Sequence, residues 1–267
     1  MNGHEHADVG IVILAGGKGK RMQIEDLPKV LVPLYGEPLI KHLLHSIEAC
    51  VVKSAPIIII GYKGEMVREA LGPHYTYVEQ KEQLGTGHAL LQARGACEKK
   101  YQHVVVLYGD MPHVPADVVD QLVTKHKTSG AVLTMMTATV PDFNDWRVAF
   151  SYMGRIVRDA NGKILRDVER KDAIEEELEI KEVNPSYYCF RADWLWPNLA
   201  RLKNNNAQGE YYLTDLLEMA IEQGEKVESI SIEPLSALGV NTPEELAIVR
   251  KMLYGVLNGN GGMIKMV

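Results

Sequence analysis

The sequence predicts an α/β fold: a Rossmann-like, doubly wound and mostly parallel sheet with a small antiparallel insertion. Short apolar runs alternate with amphipathic helical patterns as far as about residue 135. These runs contain few polar residues, as expected for parallel strands that are covered on both faces. Between about residues 140 and 190 the pattern changes to short strands, two of them joined by Asn161-Gly162, a typical hairpin turn.

The first half of the chain contains the predicted parallel strands. Residues 9–13, 57–60 and 104–107 are almost entirely apolar, and a weaker strand pattern covers 75–78. Helices are predicted from Pro38, across 67–71, after Gly87 and from Pro115, because apolar residues recur there at helical spacing.

The second half begins with the predicted insertion, in which residues 148–152, 154–159 and 163–167 have strand patterns, and another strand leads from 183 to 190. Helices follow at about 192–203 and 213–223, then a strand at 227–232. Thr242 and Glu245 form a capping-box pattern before a last helix that ends near residue 257. We expect a disordered segment at 1–8, one domain at 9–257 and a loose tail at 258–267.

Composition excludes several classes of protein. The chain has 267 residues, 46% apolar and 24% charged, and a net charge of −6, which argues against broad nucleic-acid binding. No apolar run reaches the length of a membrane span, so we expect no membrane partner. Cys50, Cys97 and Cys189 form no paired motif, which indicates a reducing, cytoplasmic location. The oligomeric state cannot be predicted from these features.

A glycine-rich turn follows the first predicted strand. Three glycines in four positions allow a sharp turn whose amide groups can approach an anion, and Arg21 and Lys29 add positive charge. The Walker pattern and the dinucleotide-binding fingerprint both fail, because Arg21 and Met22 stand where those motifs need other residues. The segment therefore predicts a phosphate site, and it reads Leu14-Ala15-Gly16-Gly17-Lys18-Gly19-Lys20-Arg21-Met22, with Pro28-Lys29 downstream.

A second glycine segment, Gly85-Thr86-Gly87, begins a predicted helix. Free amide groups and the positive end of the helix dipole would favour an anion there, but a glycine turn with a threonine cap fits equally well. Gln80 carries a donor and an acceptor, so it could read the imide edge of uracil or thymine, or simply lie on the surface.

Tyr108-Gly109-Asp110 follows the most hydrophobic predicted strand. In open α/β sheets ligands bind beyond the carboxyl ends of the strands, so a carboxylate at this position could hold Mg²⁺. The alternative is that Asp110 serves as a turn or cap residue.

These motifs, in this order, resemble those of the sugar-phosphate nucleotidyltransferases, and most closely the uridylyltransferase domains that act on N-acetylglucosamine 1-phosphate. The resemblance covers about residues 9–255 and also rests on residues 82–89, Glu169 with the Lys171-Asp172-Ala173 string, and residues 204–212. It implies formation of UDP-N-acetylglucosamine and pyrophosphate from UTP and the sugar phosphate, with Mg²⁺ as cofactor.

The resemblance also implies a role for each candidate site residue. Arg21, Lys29 and Asp110 would be catalytic, and Asp110 and Asn241 would hold Mg²⁺. The nucleotide and substrate site would comprise Leu14, Ala15, Gly16, Gly17, Gln80, Gly85, Thr86, Tyr108, Gly109, Glu169 and Asn184, the last two binding the sugar.

Several departures leave the substrate open. Lys20 replaces the usual threonine, Pro185-Ser186 replace Thr-Gly after Asn184, and Asp145-Trp146-Arg147 stand where we expect Tyr-Gly-Arg. The alternatives are the same chemistry on another sugar 1-phosphate or with dTTP, and a non-catalytic protein that binds nucleotide sugars. Bifunctional members of the family continue into an acetyltransferase domain, for which this chain is too short, so we expect no acetyl transfer.

Overall fold

The computed structural model describes residues 6–206 and 208–257. The predictions for residues 1–5 and for the tail at 258–267 therefore lie outside the described residues. Residues 6–8 form a turn, and the Asp8 carboxylate lies 2.8 Å from Lys127 Nζ.

Twelve strands and nine α-helices are described. The strands are β1 Val9–Leu14, β2 Pro33–Leu34, β3 Glu37–Pro38, β4 Ile57–Ile60, β5 Thr76–Glu79, β6 His103–Tyr108, β7 Leu133–Thr139, β8 Gly154–Arg158, β9 Ile164–Val168, β10 Glu182–Asn184, β11 Tyr188–Arg191 and β12 Val227–Ile232. The helices are α1 Leu39–Ala49, α2 Gly64–Leu71, α3 Thr86–Gln92, α4 Arg94–Cys97, α5 Ala116–Ser129, α6 Glu175–Leu178, α7 Ala192–Leu199, α8 Asp215–Glu222 and α9 Pro243–Leu257.

Ten strands form one mixed sheet in the order β5-β4-β1-β6-β11-β7-β10-β8-β9, and β12 pairs with β7. Strands β5, β4, β1 and β6 are parallel to one another, as their uninterrupted apolar sequences predict. The two small strands β2 and β3 form a separate antiparallel pair. Buried clusters cover both faces of the sheet, so the predicted fold class is confirmed.

The parallel pairing fixes where the predicted motifs meet. Leu14, the last residue of β1, lies opposite Tyr108, the last residue of β6. The glycine turn and the Tyr108-Gly109-Asp110 turn therefore leave the sheet at the same carboxyl edge.

The antiparallel part of the sheet is larger than an insertion at its edge. Strand β11 lies between β6 and β7 and is antiparallel to both. Strand β10 pairs with the last residues of β7 on the same edge, and β8 and β9 extend the sheet from β10, whereas β12 covers the other edge of β7. The sequence places these strands correctly, but it does not reveal that β11 enters the centre of the sheet.

The predicted strand at 148–152 is wrong, because Asp145–Tyr152 form a 3₁₀ helix. The buried guanidinium of Arg155 donates hydrogen bonds to the carbonyl groups of Phe150, Ser151 and Met153, at 3.4, 3.1 and 2.5 Å. Because these carbonyl groups all point toward the Arg155 side chain, they are not available for hydrogen bonds to a neighbouring strand. The Phe150 ring is fully buried.

No helix in the described part of the chain combines the length and apolar character that a membrane span needs. The three cysteines are buried and unpaired, as their spacing predicts.

His126 on α5 gives the fold a pH-dependent stability. Its Nδ1 lies 2.9 Å from Thr134 Oγ1, and its ring is only 1% exposed. Burial, reinforced by nearby His103 and Arg191, lowers the pKa of His126 to about 3. The unfolded chain binds a proton near pH 6.5 and the folded chain does not, so protonation favours unfolding below that pH.

We therefore expect the free energy of unfolding to fall by up to about 1.4 kcal/mol per pH unit below about pH 6.5. Denaturant titration of the unaltered chain and of His126→Gln at pH 7.5 and 5.0 measures this contribution as a shallower decline in the variant. His74→Gln, at an exposed position, is the matched control. Equal declines in all three proteins would contradict the assignment.

Candidate functional site

A cavity of about 760 Å³ lies at the carboxyl edge of β1 and β6. It brings together twelve of the fifteen predicted site residues. They are Leu14, Ala15, Gly16, Gly17, Arg21, Lys29, Gln80, Gly85, Thr86, Tyr108, Asp110 and Asn241.

The glycine turn forms one side of this cavity. The amides of Gly16, Gly17 and Lys18 have no hydrogen-bond acceptor among residues 6–206 and 208–257, so they are available to an anion. Gly19 adopts φ +61°, and an added Cβ would lie 2.6 Å from Lys29 Cβ. A glycine is therefore needed both for the turn and for the close approach of Lys29.

Four cationic side chains line the cavity: Lys18, Lys20, Arg21 and Lys29. Arg21 is exposed and makes no ion pair with any described residue, whereas the neighbouring Met22 is buried and anchors the turn. This concentration of positive charge in a chain of net charge −6 suits a polyanionic ligand such as a triphosphate.

Lys29, Asp110 and Asn241 meet at one end of the cavity. Lys29 Nζ forms an ion pair with Asp110 Oδ2 and donates a hydrogen bond to Asn241 Oδ1 at 2.8 Å. Asp110 is held in place because its carbonyl oxygen accepts the Val240 amide at 2.9 Å. The Glu245 amide on α9 donates to Thr242 Oγ1 at 3.2 Å, as the predicted capping box requires. The Glu245 carboxylate accepts the Asn241 amide at 2.5 Å and thereby holds Asn241 in place.

The oxygens of Asp110 and Asn241 fit a divalent cation. Asp110 Oδ1 is buried and has no hydrogen-bond partner among the described residues. A carboxylate and an amide oxygen are ligands that Mg²⁺ accepts, with phosphate oxygens and water completing its shell. The described residues contain no group of three or more His, Cys, Asp or Glu side chains that could hold a metal. The chemistry of this pair therefore suits a cation shared with a phosphate ligand.

The second glycine segment joins the opposite side of the cavity to residues 211–213. The Gly87 amide donates to the Tyr211 carbonyl and the Tyr211 amide to the Leu84 carbonyl, both at 2.8 Å. Thr86 Oγ1 accepts the Leu213 amide at 3.0 Å. Of the two interpretations left open for this segment, free amides do not extend to Gly87, whose amide group holds two loops together.

Gln80 is 4% exposed and lies beside both glycine segments. Its Nε2 donates to the Gly85 carbonyl at 3.1 Å and contacts His88 Nδ1 at 3.1 Å. Its Oε1 faces Gly16, where an added Cβ would lie 3.2 Å away. The side chain therefore presents an acceptor to the cavity, because its donor is already used.

Tyr108 closes the base of the cavity. Burial raises the pKa of its phenol above the ordinary value, and the carboxylates of Asp110 and Glu169 act in the same direction. The hydroxyls of Thr86 and Ser186 oppose that shift because they hydrogen-bond to the phenol oxygen. Tyr108 therefore stays neutral and polar at physiological pH.

Three predicted site residues do not line the cavity: Gly109, Glu169 and Asn184. Gly109 faces the core, since an added Cβ would lie 3.1 Å from Val30. Glu169 is exposed. Asn184 is buried, and its amide donates to Asp167 Oδ2 at 2.5 Å and to the Tyr188 hydroxyl at 2.7 Å.

Asn184 is thus engaged by the protein itself, because its Oδ1 also accepts the Ser186 amide at 2.8 Å. Burial raises the pKa of its partner Asp167 to about 7, although the hydrogen bond from Asn184 opposes the shift. The structure uses Asn184 to shape this region, and direct sugar contact by its side chain would require these bonds to break.

Asp145-Trp146-Arg147, which stand in the sequence where Tyr-Gly-Arg is expected, do not lie opposite Asn184 in the sheet. These residues lie in the 3₁₀ helix, and Arg147 pairs with Asp142 at 2.7 Å. The glycine opposite Asn184 is Gly154, followed by Arg155. An added Cβ on Gly154 would overlap Asp167 Oδ1, so this glycine–arginine pair meets the need for a small residue there.

Some cavity residues carry no role in the sequence-based prediction. Val30 and Ala89 supply apolar surface, whereas Gln83, Gln208 and Glu210 supply polar groups. Gln208 and Glu210 belong to the 204–212 segment that contributes to the family resemblance, and that segment is the sequence feature from which their place in the site could have been predicted. Gln83 is held by its Nε2, which donates to the Gln80 carbonyl at 3.1 Å.

Comparison with known families and proteins agrees with this geometry. Residues 11–222 match the MobA-like NTP transferase domain. The bifunctional protein GlmU of Desulfotalea psychrophila is 42% identical over 247 residues, which cover 92% of this chain and 70% of that protein. GlmU of Brevibacillus brevis is 40% identical over 237 residues, covering 88% of this chain and 50% of that protein.

Solved structures share the fold. A putative glucose-1-phosphate thymidylyltransferase from Bacillus anthracis, in complex with sucrose, aligns with a TM-score of 0.70 at 20% identity, covering 91% of this chain and 94% of that one. The CMP:2-keto-3-deoxy-manno-octonic acid synthetase complexed with CTP aligns with a TM-score of 0.68 at 17% identity, covering 93% and 99%. At these identities the likeness establishes the architecture alone.

Proposed function

Because the chain belongs to the family of MobA-like NTP transferase domains, we propose that it transfers a uridylyl group from UTP to N-acetylglucosamine 1-phosphate. The products are UDP-N-acetylglucosamine and pyrophosphate, and Mg²⁺ is the cofactor. We also propose that the reaction takes place in the cytoplasm.

One observation carries this proposal: a single cavity combines free loop amides, four cationic side chains and the Asp110–Asn241 oxygen pair. A triphosphate needs the first two features, and the cation that accompanies it needs the third. UTP and N-acetylglucosamine 1-phosphate are proposed because the sequence motifs resemble those of uridylyltransferase domains that act on this sugar phosphate, and the GlmU relatives at about 40% identity show that the likeness extends over most of the chain.

In the proposed reaction, an oxygen of the sugar 1-phosphate attacks the α-phosphorus in line with the departing group. A new P–O bond forms, the α–β bridging bond breaks, and pyrophosphate leaves with its electron pair. The attacking oxygen is already anionic, so no general base is required. Arg21, Lys29 and the loop amides orient the phosphates and neutralise developing charge. Asp110 and Asn241 would hold Mg²⁺, which would supply further electrostatic stabilisation.

Gln80 supports a base that carries an N–H group on its pairing edge. Its Nε2 is engaged by the Gly85 carbonyl and by His88, so its Oε1 can accept the imide N–H of uracil or thymine. Cytosine has an acceptor at that position, and the two acceptors would be left unpaired against each other.

We therefore expect kcat/KM for CTP to be roughly tenfold to a hundredfold below that for UTP, as for an unsatisfied buried polar group. Pyrophosphate release with each nucleotide and a fixed sugar phosphate measures the ratio. Comparable values for UTP and CTP would contradict base reading by Gln80.

The test of the proposed function is a pyrophosphate-release assay with Mg²⁺, crossing UTP and dTTP with a panel of sugar 1-phosphates. The expected result is a clear preference for UTP with N-acetylglucosamine 1-phosphate. A preference for another pair would redirect the substrate assignment. Nucleotide-sugar binding without turnover on any pair would instead support a non-catalytic binding protein.

A further inference from the structure

Lys29 occupies the position that suits the divalent cation. Its ammonium group contacts Asp110 Oδ2 and Asn241 Oδ1, the same two side chains whose oxygens fit the ion. The Lys29 and Asp110 side chains are each only 14% exposed, so solvent screens this contact weakly.

The ammonium and a divalent cation cannot share this position. Lys29 Nζ is 2.8 Å from Asn241 Oδ1, and Mg²⁺ binds oxygen at about 2.0–2.1 Å. An ion bound to Asn241 Oδ1 would therefore lie within about 5 Å of Nζ, where the like charges repel strongly. Each cation therefore weakens the binding of the other while Lys29 keeps this position.

We propose that Lys29 holds the metal position in the protein without nucleotide, so that a divalent cation binds tightly only together with a triphosphate. This inference rests on the proposed function, because the triphosphate is what draws the ammonium away. A phosphate oxygen in the same cavity offers Lys29 a new partner, and the vacated oxygens then accept the ion.

The local packing allows this exchange with a small movement. Gly19 packs against the Lys29 stem, since an added Cβ would lie 2.6 Å from Lys29 Cβ and 3.3 Å from its Cδ. The stem is therefore fixed while the end of the side chain remains able to rotate. The loop amides and Arg21 lie on the wall of the same cavity, which places the phosphates near the rotating ammonium.

The test is a titration with Mn²⁺ alone, in which electron paramagnetic resonance measures the free ion and no nucleotide is present. Lys29→Met keeps the length of the side chain and removes its charge. We expect it to bind Mn²⁺ at least about tenfold more tightly than the unaltered chain, because a like charge within a few ångströms shifts an ionic equilibrium by that much or more. Lys29→Arg should retain the weak binding, because its guanidinium can contact the same oxygens.

The matched control is Lys20→Met, which removes the same charge from the cavity lining at a residue with no contact to Asp110. We expect a smaller gain there, because solvent and salt screen an exposed charge. The double variant Lys29→Met with Asp110→Asn should lose the gain, since the carboxylate that binds the ion is gone. Thermal unfolding checks that each variant is folded, and Lys29→Gln replaces Lys29→Met if the latter does not fold.

Equal Mn²⁺ affinities in the unaltered chain and Lys29→Met would overturn the proposal, as would an equal gain in Lys20→Met. The titration contains no substrate, so its outcome is separate from that of the proposed function. Pyrophosphate release without a gain in Lys29→Met would reject the Lys29 exchange alone. A gain without pyrophosphate release would reject the reaction and leave the competition between the two cations standing.

Discussion

Asp110→Ala is expected to lower the turnover of the proposed uridylyl transfer by at least about a hundredfold, the loss associated with removing one electrostatic stabiliser. The substitution removes a carboxylate that pairs with Lys29 and whose Oδ1 is buried without a partner among the described residues. It would leave the ammonium with one neutral oxygen partner and leave Mg²⁺ with only Asn241. Steady-state pyrophosphate release at saturating UTP and sugar phosphate measures the loss.

Two further variants make this result specific. Asp110→Asn keeps the shape and one oxygen, so it should raise the Mg²⁺ concentration needed for half-maximal rate. Asp193→Ala makes the same chemical change at a carboxylate that forms an exposed ion pair with Arg191. Arg191 lies opposite the first residue of β6, at the end of that strand away from the cavity, so this variant should leave turnover unchanged. Near-normal turnover in Asp110→Ala would refute the assigned role of this carboxylate.

The parallel half of the fold could be predicted because burial alone dictates its sequence. Strand β4 is Ile57–Ile60, and no polar residue interrupts it because both faces are covered. The meeting of the glycine turn with Asp110 followed from the same reasoning, since parallel strands end at one edge. These inferences need only local pattern and the geometry of a parallel sheet.

The remainder depends on contacts between distant residues. Residues 148–152 look like a strand, yet the Arg155 guanidinium binds their carbonyl groups and holds a 3₁₀ helix. The run Glu175-Glu176-Glu177 is typical of a solvated helix face, yet Glu177 is buried and pairs with Arg166. No pattern in a single sequence records which side chain will reach which backbone group.

At the site, too, the sequence shows which polar groups a residue carries but not which of them the protein itself occupies. The sequence shows that Gln80 carries a donor and an acceptor, whereas only the structure shows that Gly85 and His88 occupy the donor. Asn184 is likewise a plausible sugar ligand by type, but Asp167, Tyr188 and Ser186 occupy its polar groups. Residue type therefore limits the chemistry of a position, and the neighbouring residues determine which group remains available to a ligand.

Gly85→Ala is expected to lower the free energy of unfolding by about 2–5 kcal/mol, the sum of left-handed backbone strain and overpacking. Gly85 adopts φ +107°, and an added Cβ would lie 2.6 Å from the Tyr211 carbonyl oxygen. The segment 210–212 must then move away from Gly85, which breaks the bonds that join the two loops at the cavity. Because displacement of about 1 Å can cost a hundredfold in rate, the variant should also lose most of its kcat/KM for UTP.

Two other glycines separate the causes of this loss. Gly72 has φ +79° and ψ −174°, close to the backbone angles of Gly85, and open space around it, so Gly72→Ala carries the backbone strain without the collision. Gly95 lies in α4 with nothing outside its own helix within 4 Å, so Gly95→Ala should stabilise the protein by up to about 1 kcal/mol. Denaturant titration of the three variants gives the contribution of the Tyr211 contact as the difference between Gly85→Ala and Gly72→Ala. If these two variants lose equal stability and Gly85→Ala keeps its affinity for UTP, the close approach of the two loops does not shape the nucleotide site.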